Sequence, residues 1–298
     1  MLIGTLGEFG LIERITKAYK LDASVIRGAG DDCAVVEFDK NRFMLLTSDM
    51  LVEGVDFTIA AKPYLIGRKA LAVSLSDIAA CAGIPRYALV SVGLPKKTSV
   101  AFVDSLMKGI RDLAKAYGVN IVGGDLSRAE RLTFDVGVVG FVEKKYLLLR
   151  SGAKAGDRIF ATGALGGSIA GRHFTFTPRV REARYLAQHF KLHAMIDISD
   201  GLAQDLGHIL IASNVGATLY EALIPLGRDA RTVEDALYMG EDFELLFTVP
   251  PKEAKRLLKK KLPFCKPLGE IVDKSRGMIL VTTDNRQARI KPRGFCHF

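Results

Sequence analysis

The chain has 298 residues, 49% of them hydrophobic and 25% charged, with a formal net charge of +9. That length exceeds one small core and suits two domains, and the composition excludes a disordered chain. No apolar run approaches the roughly 18 residues of a membrane span, and Glu8, Glu13 and Arg14 stand where a signal peptide needs its apolar stretch, so a cytoplasmic protein is expected.

In chain order, residues 43–47 (FMLLT) predict a strand ending on Ser48-Asp49, and residues 65–82 carry apolar side chains at helical spacing, interrupted at Ser76-Asp77. Residues 101–117 predict an amphipathic helix, followed by a short strand over 119–122 that closes on Gly123-Gly124-Asp125. Residues 132–142 (LTFDVGVVGFV) read as another strand. Polar punctuation from Glu143 to Asp157 marks the expected boundary between domains 1–142 and 143–298. Beyond it come a strand over 158–162, a helix over about 180–192, a short strand into Asp197 and a helix after Ser199-Asp200. A strand over 243–249, a last helix and a strand over 278–282 complete a mixed β/α chain without short-period repeats.

The positive balance suits anionic partners. The basic residues form no long tract, however. Lys259, Lys260 and Lys261 read as the solvated face of a helix opened by Pro250-Pro251, and no nucleic-acid motif accompanies them. Cys33, Cys81, Cys265 and Cys296 are far apart and form no C-x-x-C pair. They are expected as packing residues in a reducing compartment.

The chemical signal lies in the acids. Asp31-Asp32 follows Gly28-Ala29-Gly30, Asp49 follows Thr47-Ser48, Asp77 follows Ser76, and Asp125 follows two glycines; Asp197 and Asp200 flank Ile198-Ser199, and Glu241-Asp242 follows Gly240. Each alone is an ordinary turn or helix-cap residue. Together they predict carboxylates gathered at strand ends, where hard cations such as Mg²⁺ find oxygen ligands. There is no G-x-x-x-x-G-K-[ST] loop, no H-R-D or D-F-G kinase pair and no G-x-S-x-G elbow. Gly163, Gly166 and Gly167 follow a strand with the wrong spacing for a dinucleotide loop, so close packing explains them equally well. His189 and His193 are one helical turn apart with no acidic or cysteine neighbour in sequence, which reads as a surface accident.

The segments GEFGLIERI, GAGDDCAVV, TSDMLVEGVDF, KALAVSLSDIAACAG, GGDLSR, RSGAKAGD, AMIDISDGLAQDLGHI and GEDFELLFTVP resemble, in order, the motifs of thiamine-monophosphate kinases. That family lies within the aminoimidazole ribonucleotide synthetase-like group of ATP-binding enzymes. The resemblance implies a two-domain α/β (mixed α+β) fold and a homodimer that pairs its N-terminal sheets. It implies ATP and Mg²⁺, with direct in-line transfer to thiamine monophosphate and no residue assigned as general base. Asp32, Thr47, Ser48, Asp49, Asp77, Asp125, Asp197 and Asp200 would then hold Mg²⁺, and Gly124, Asp125, Arg150 and Ser199 would contact ATP. Asp56, Glu241 and Phe295 would face the acceptor. Asp56 stands where the family usually has a histidine contacting substrate, and Pro292 where an aromatic often stacks on thiamine. These two departures leave a related ATP-dependent enzyme with another acceptor as the alternative.

Overall fold

A computed structural model describes residues 2–298. Two short helices, α1 (Ile3–Leu6) and α2 (Glu8–Thr16), precede the first sheet. Its strands are β1 (Val25–Arg27), β2 (Ala34–Glu37), β3 (Arg42–Val52), β4 (Ile84–Leu94), β5 (Asn120–Arg128) and β6 (Thr133–Glu143), in the order β1-β2-β3-β6-β4-β5. Neighbours are antiparallel except β4 and β5, which are parallel and joined by a helical crossover, as parallel strands require. Strand β6 alternates cleanly, with Phe134, Val136, Val138 and Val142 buried and their neighbours half-buried.

The buried face of this sheet is covered by α3 (Pro63–Ala80) and α4 (Val100–Tyr117). Pro63 opens α3, whose residues from Ile66 to Ala80 are buried almost throughout, so it is a core helix rather than an amphipathic one. Helix α4 is capped by the Ser99 hydroxyl, which accepts from Phe102 N, and ends on a left-handed Gly118. The two helices touch backbone to backbone. A Cβ on Gly67 would lie 2.0 Å from Leu106 O, and one on Gly109 would lie 1.9 Å from Tyr64 O. The other face of the sheet is open and carries exposed Met50, Leu89 and Val122.

The second sheet holds β7 (Arg158–Thr162), β8 (Ala194–Asp197), β9 (Gly216–Tyr220), β10 (Leu245–Val249), β11 (Cys265–Val272), β12 (Met278–Val281) and β13 (Gln287–Arg289), in the order β13-β12-β9-β11-β7-β10-β8. Only β9 and β12 run parallel among these pairs. The connecting helices are α5 (Arg172–Thr175), α6 (Val180–His189), α7 (Leu202–Ser213), α8 (Val233–Tyr238) and α9 (Pro251–Lys260). Phe160, Met195 and Phe247 pack with Leu186 of α6 and Leu257 of α9 on one face. Ile159, Ile196 and Leu246 pack with Leu206 of α7 and Leu237 of α8 on the other. Sheet order, pairing and cover make this a mixed α/β fold of two layered units.

Three expected turns are not turns. Strand β3 runs through Ser48-Asp49 to Val52, because eleven successive positions pair with β6 from Arg42↔Glu143 to Val52↔Thr133. Helix α3 continues through Ser76-Asp77, and β5 through Gly123-Gly124-Asp125 to Arg128. Long-range pairing and burial override the local turn preference of Ser, Gly and Asp. Helix α6 ends at His189, so His193 lies outside it and bonds the buried Asp157 at 2.8 Å, a partner distant in sequence. Cys33 and Cys81 are buried as expected, whereas Cys265 is half-buried and Cys296 is exposed on the C-terminal tail.

Candidate active site

Helix α3 is the element on which the site is assembled, since it packs against β3 and β6 of the first sheet and against β8, α5 and α6 of the second half. Odd-numbered residues of β3 face it. The Ser74 hydroxyl donates to Asp49 Oδ2 at 2.6 Å, and the Thr47 hydroxyl donates to Asp77. From the second sheet, the Ser76 hydroxyl donates to Asp197 Oδ2 at 2.6 Å. One carboxylate oxygen from each of Asp32, Asp77 and Asp197 lies within 4.8 Å of the others. Burial, with repulsion from the neighbouring acids, pushes Asp197 up to about 8 and Asp49 up to about 6, and raises Asp77 well above the usual carboxylate range.

Three converging carboxylates, two of them on buried residues, are costly without a counter-charge. Arg150 supplies one, donating from Nη2 and Nε to Asp32 Oδ1 at 2.8 and 3.2 Å. Asp32 Oδ2, however, is buried with no hydrogen-bond partner among the described residues. An orphaned carboxylate oxygen beside two more carboxylates and a hydroxyl fits a hard, oxygen-seeking divalent cation.

Not every expected ligand joins this group. The Ser48 hydroxyl points to the open face of the sheet and donates to Asp135. The register aligns Asp125 with Ser91 and Ser91 with Asp135, which puts the exposed Asp125 on that same open face. Gly124 precedes it at φ 152, where an added Cβ would lie 1.8 Å from Val90 O. Asp200 sits in a second cluster with Asp205 and His208, and Asp205 Oδ2 accepts the backbone N–H groups of Asp200 and Gly201 at 3.1 Å each. The turn holding Ser199 and Asp200 ties the two ends of the site together. Ser199 O accepts from Glu241 N at 2.7 Å, and Asp200 O accepts from Phe295 N at 3.0 Å.

Asp56, Glu241 and Phe295 line one cavity of about 290 Å³, together with Phe57, Phe174 and Met239. Asp56 Oδ2 accepts from Val52 N at 2.7 Å, and its other oxygen has no hydrogen-bond partner among the described residues. Pro292 is not in this cavity; it packs on Gly207 of α7, and Phe295 presents the ring instead. Glu241 has φ 60 and Phe243 φ 50, unusual for residues with side chains. The alternate acids hold that loop in place. Asp242 accepts from Gly166 N at 2.8 Å and from Arg172 at 3.0 Å, while Glu244 accepts from Thr162, Arg172 and Arg179. The glycines of 163–167 therefore serve close packing around the acidic loop.

Comparison with known proteins decides the family. The descriptions AIR synthase related protein, N-terminal domain and C-terminal domain match residues 30–142 and 135–282. The thiamine-monophosphate kinase of Bacillus subtilis (strain 168) is 35% identical over 326 residues, covering 98% of this chain and 100% of that protein. The chain belongs to the thiamine-monophosphate kinase family. Among solved structures of that family, AaThiL complexed with AMPPCP and TMP superposes with a TM-score of 0.86 at 31% identity, covering 100% of this chain and 99% of the other. The thiamine monophosphate kinase of Aquifex aeolicus superposes with a TM-score of 0.79 at 29% identity, covering 97% of this chain and 100% of the other.

Within the family frame, several residues at the site escaped sequence reasoning. Ser74 and Ser76 orient Asp49 and Asp197 from inside a helix, and nothing in their spacing marks them. Lys69 is 1% exposed yet reaches Glu241 across the two units. Lys69 heads the apolar run Ala70–Val73 of α3, and a lysine there is rarely buried without a partner. His173 lies in the 163–192 connection, where no motif drew attention to it.

Proposed function

We propose that the protein transfers the γ-phosphoryl group of ATP to thiamine monophosphate, giving ADP and thiamine diphosphate, with Mg²⁺ and by direct in-line displacement. The reading is carried by two unlike sites joined through one turn: the carboxylates against Arg150, and the cavity of Asp56, Glu241 and Phe295, linked by Ser199 and Asp200. Names and substrates of the relatives favour thiamine monophosphate over another acceptor.

The acceptor is a phosphate monoester with a second pKa of about 6, so its oxygen is largely deprotonated at neutral pH and needs no strong base. Transfer needs cations between crowded anions and an aligned attacking oxygen. In this reading Asp32, Asp49, Asp77 and Asp197, with Thr47, would hold Mg²⁺, which would supply positive charge against the phosphates. Arg150 adds a fixed positive charge, and Asp200 and Ser199 serve from the turn. Gly124, Asp125 and Ser48 would act from the open face of the first sheet, which is the face proposed to pair in a homodimer; its exposed Met50, Leu89 and Val122 support that pairing. The division into domains 1–142 and 143–298, in a cytoplasmic enzyme, belongs to the same reading.

Incubation with ATP, Mg²⁺ and thiamine monophosphate, followed by chromatography of the thiamine esters, tests it. The expected outcome is one thiamine diphosphate per ADP released. No thiamine diphosphate at high protein concentration overturns it.

A further inference from the structure

Behind the acceptor cavity Glu241 belongs to an ionic group whose other members, Lys69 and His173, have no role above. Lys69 Nζ donates to Asp56 O at 2.7 Å and to Glu241 Oε2, and approaches His173 Nδ1 at 3.1 Å. His173 Nδ1 is 2.7 Å from the same Glu241 oxygen. Burial would raise the Glu241 carboxyl, but His173 and Lys69 outweigh it and hold the group below its usual range.

The two contact lengths point to one use of the imidazole. A carboxylate oxygen can only accept and an ammonium can only donate, so Nδ1 cannot satisfy both neighbours. The shorter contact is to the carboxylate, which places the Nδ1 proton on that bond. In the neutral ring Nε2 is then a bare acceptor. It has no hydrogen-bond partner among the described residues, and His173 is one of the residues lining the cavity. Glu241 Oε1 is a second free acceptor nearby. With the imidazole neutral, two carboxylates and one ammonium leave the cavity wall with one net negative charge, matched to a cationic aromatic ligand, and Phe174 and Phe295 also line that wall.

We propose that His173, locked by Glu241, reads the exocyclic amine of the acceptor's aminopyrimidine through Nε2, and that Lys69 is a positioning residue holding both side chains from α3. The proposal rests on the thiamine monophosphate reading and adds a specificity determinant to it. A site with a buried acceptor rejects an analogue that offers no donor far more strongly than an apolar wall would.

The test is calorimetric binding, without ATP, of thiamine monophosphate and of its 4-oxo analogue, oxythiamine monophosphate. Wild type is expected to prefer the amine by roughly 100-fold. His173→Phe should bring the two affinities within about 3-fold by weakening the amine ligand, and His173→Gln, which can still present an oxygen acceptor, should recover part of the preference. An unchanged KM for ATP would show that the variants are folded. Equal weakening of both ligands by His173→Phe, or a wild type without preference, overturns the proposal. Thiamine monophosphate that binds with this preference but is never phosphorylated would overturn the proposed function and leave the ring recognition standing.

Discussion

Asp197→Asn should make the metal-free protein more stable while disabling it. In the folded chain burial, followed by the Asp32 charge, pushes this carboxyl up to about 8 from an ordinary 3.8. A raised carboxyl keeps its proton longer in the folded state, so the stability it contributes is complete below the unfolded value and is lost as pH rises through about 8. Between the unfolded value and pH 7 the loss amounts to about 4 kcal/mol at roughly 1.4 kcal/mol per pH unit. Asparagine carries no charge at any of these pH values and can still accept from the Ser76 hydroxyl. In EDTA at pH 7.5 the variant should therefore melt about 5 °C or more above wild type, and the gap should close towards pH 5. Wild type should gain stability on adding Mg²⁺, more at pH 8 than at pH 6, because a bound cation replaces the missing protons. The variant should gain little, and its phosphoryl transfer should fall by roughly 100-fold or more. Melting curves by differential scanning fluorimetry across pH, with and without Mg²⁺, provide the measurement. A variant that melts below wild type in EDTA at pH 7.5, or gains as much from Mg²⁺ as wild type does, would falsify the assignment of this cluster as a cation site.

Lys69→Met leaves the mostly buried Glu241 without its cation; the expected result is a KM for the acceptor raised about 30-fold or more with the KM for ATP little changed, read from initial rates. Arg150→Lys loses the paired donation to Asp32 Oδ1 and should weaken nucleotide binding about 10-fold, measured by calorimetry with a non-hydrolysable ATP analogue; unchanged affinity would remove Arg150 from the nucleotide site. Glu244→Gln touches no proposed ligand but leaves Arg172 and Arg179 without their shared, 2% exposed carboxylate. It should cost about 3 kcal/mol of stability and raise the acceptor KM through the slackened Glu241 loop, and an unchanged melting temperature would count against that role.

What the sequence disclosed and what it concealed follow from the range of the forces involved. Asp56, Glu241 and Phe295, expected to face the acceptor, do line one cavity, and Pro292 lies outside it. The acids were legible as a group and Asp197 does close its strand, but three of the expected turns are absent. Ser48-Asp49, Ser76-Asp77 and Gly124-Asp125 have the local chemistry of turns, and only the pairing of β3 with β6, the burial of α3 and the pairing of β5 with β4 show that the backbone runs straight through. The split between the two faces of the first sheet was likewise hidden, since Ser48 and Asp49 are adjacent in sequence and opposite in direction. Lys69 and His173 acquire meaning only when α3 and α5 are brought against the Glu241 loop, over separations of 172 and 68 residues.

Helix α3 also works as a gauge. Lys69, behind the ring pocket, and Asp77, in the carboxylate cluster, stand eight residues apart on one straight rod, which is about 12 Å of helix at 1.5 Å per residue. Its contact with α4 through Gly67 and Gly109 leaves no room to slide. On the proposed reading, the spacing between the grip on the ring and the grip on the metals is built into the rise of a single helix. In the proposed reaction the enzyme measures the length of its acceptor as well as its aromatic end. A substrate one methylene longer would bind its ring correctly and deliver its phosphate to the wrong place.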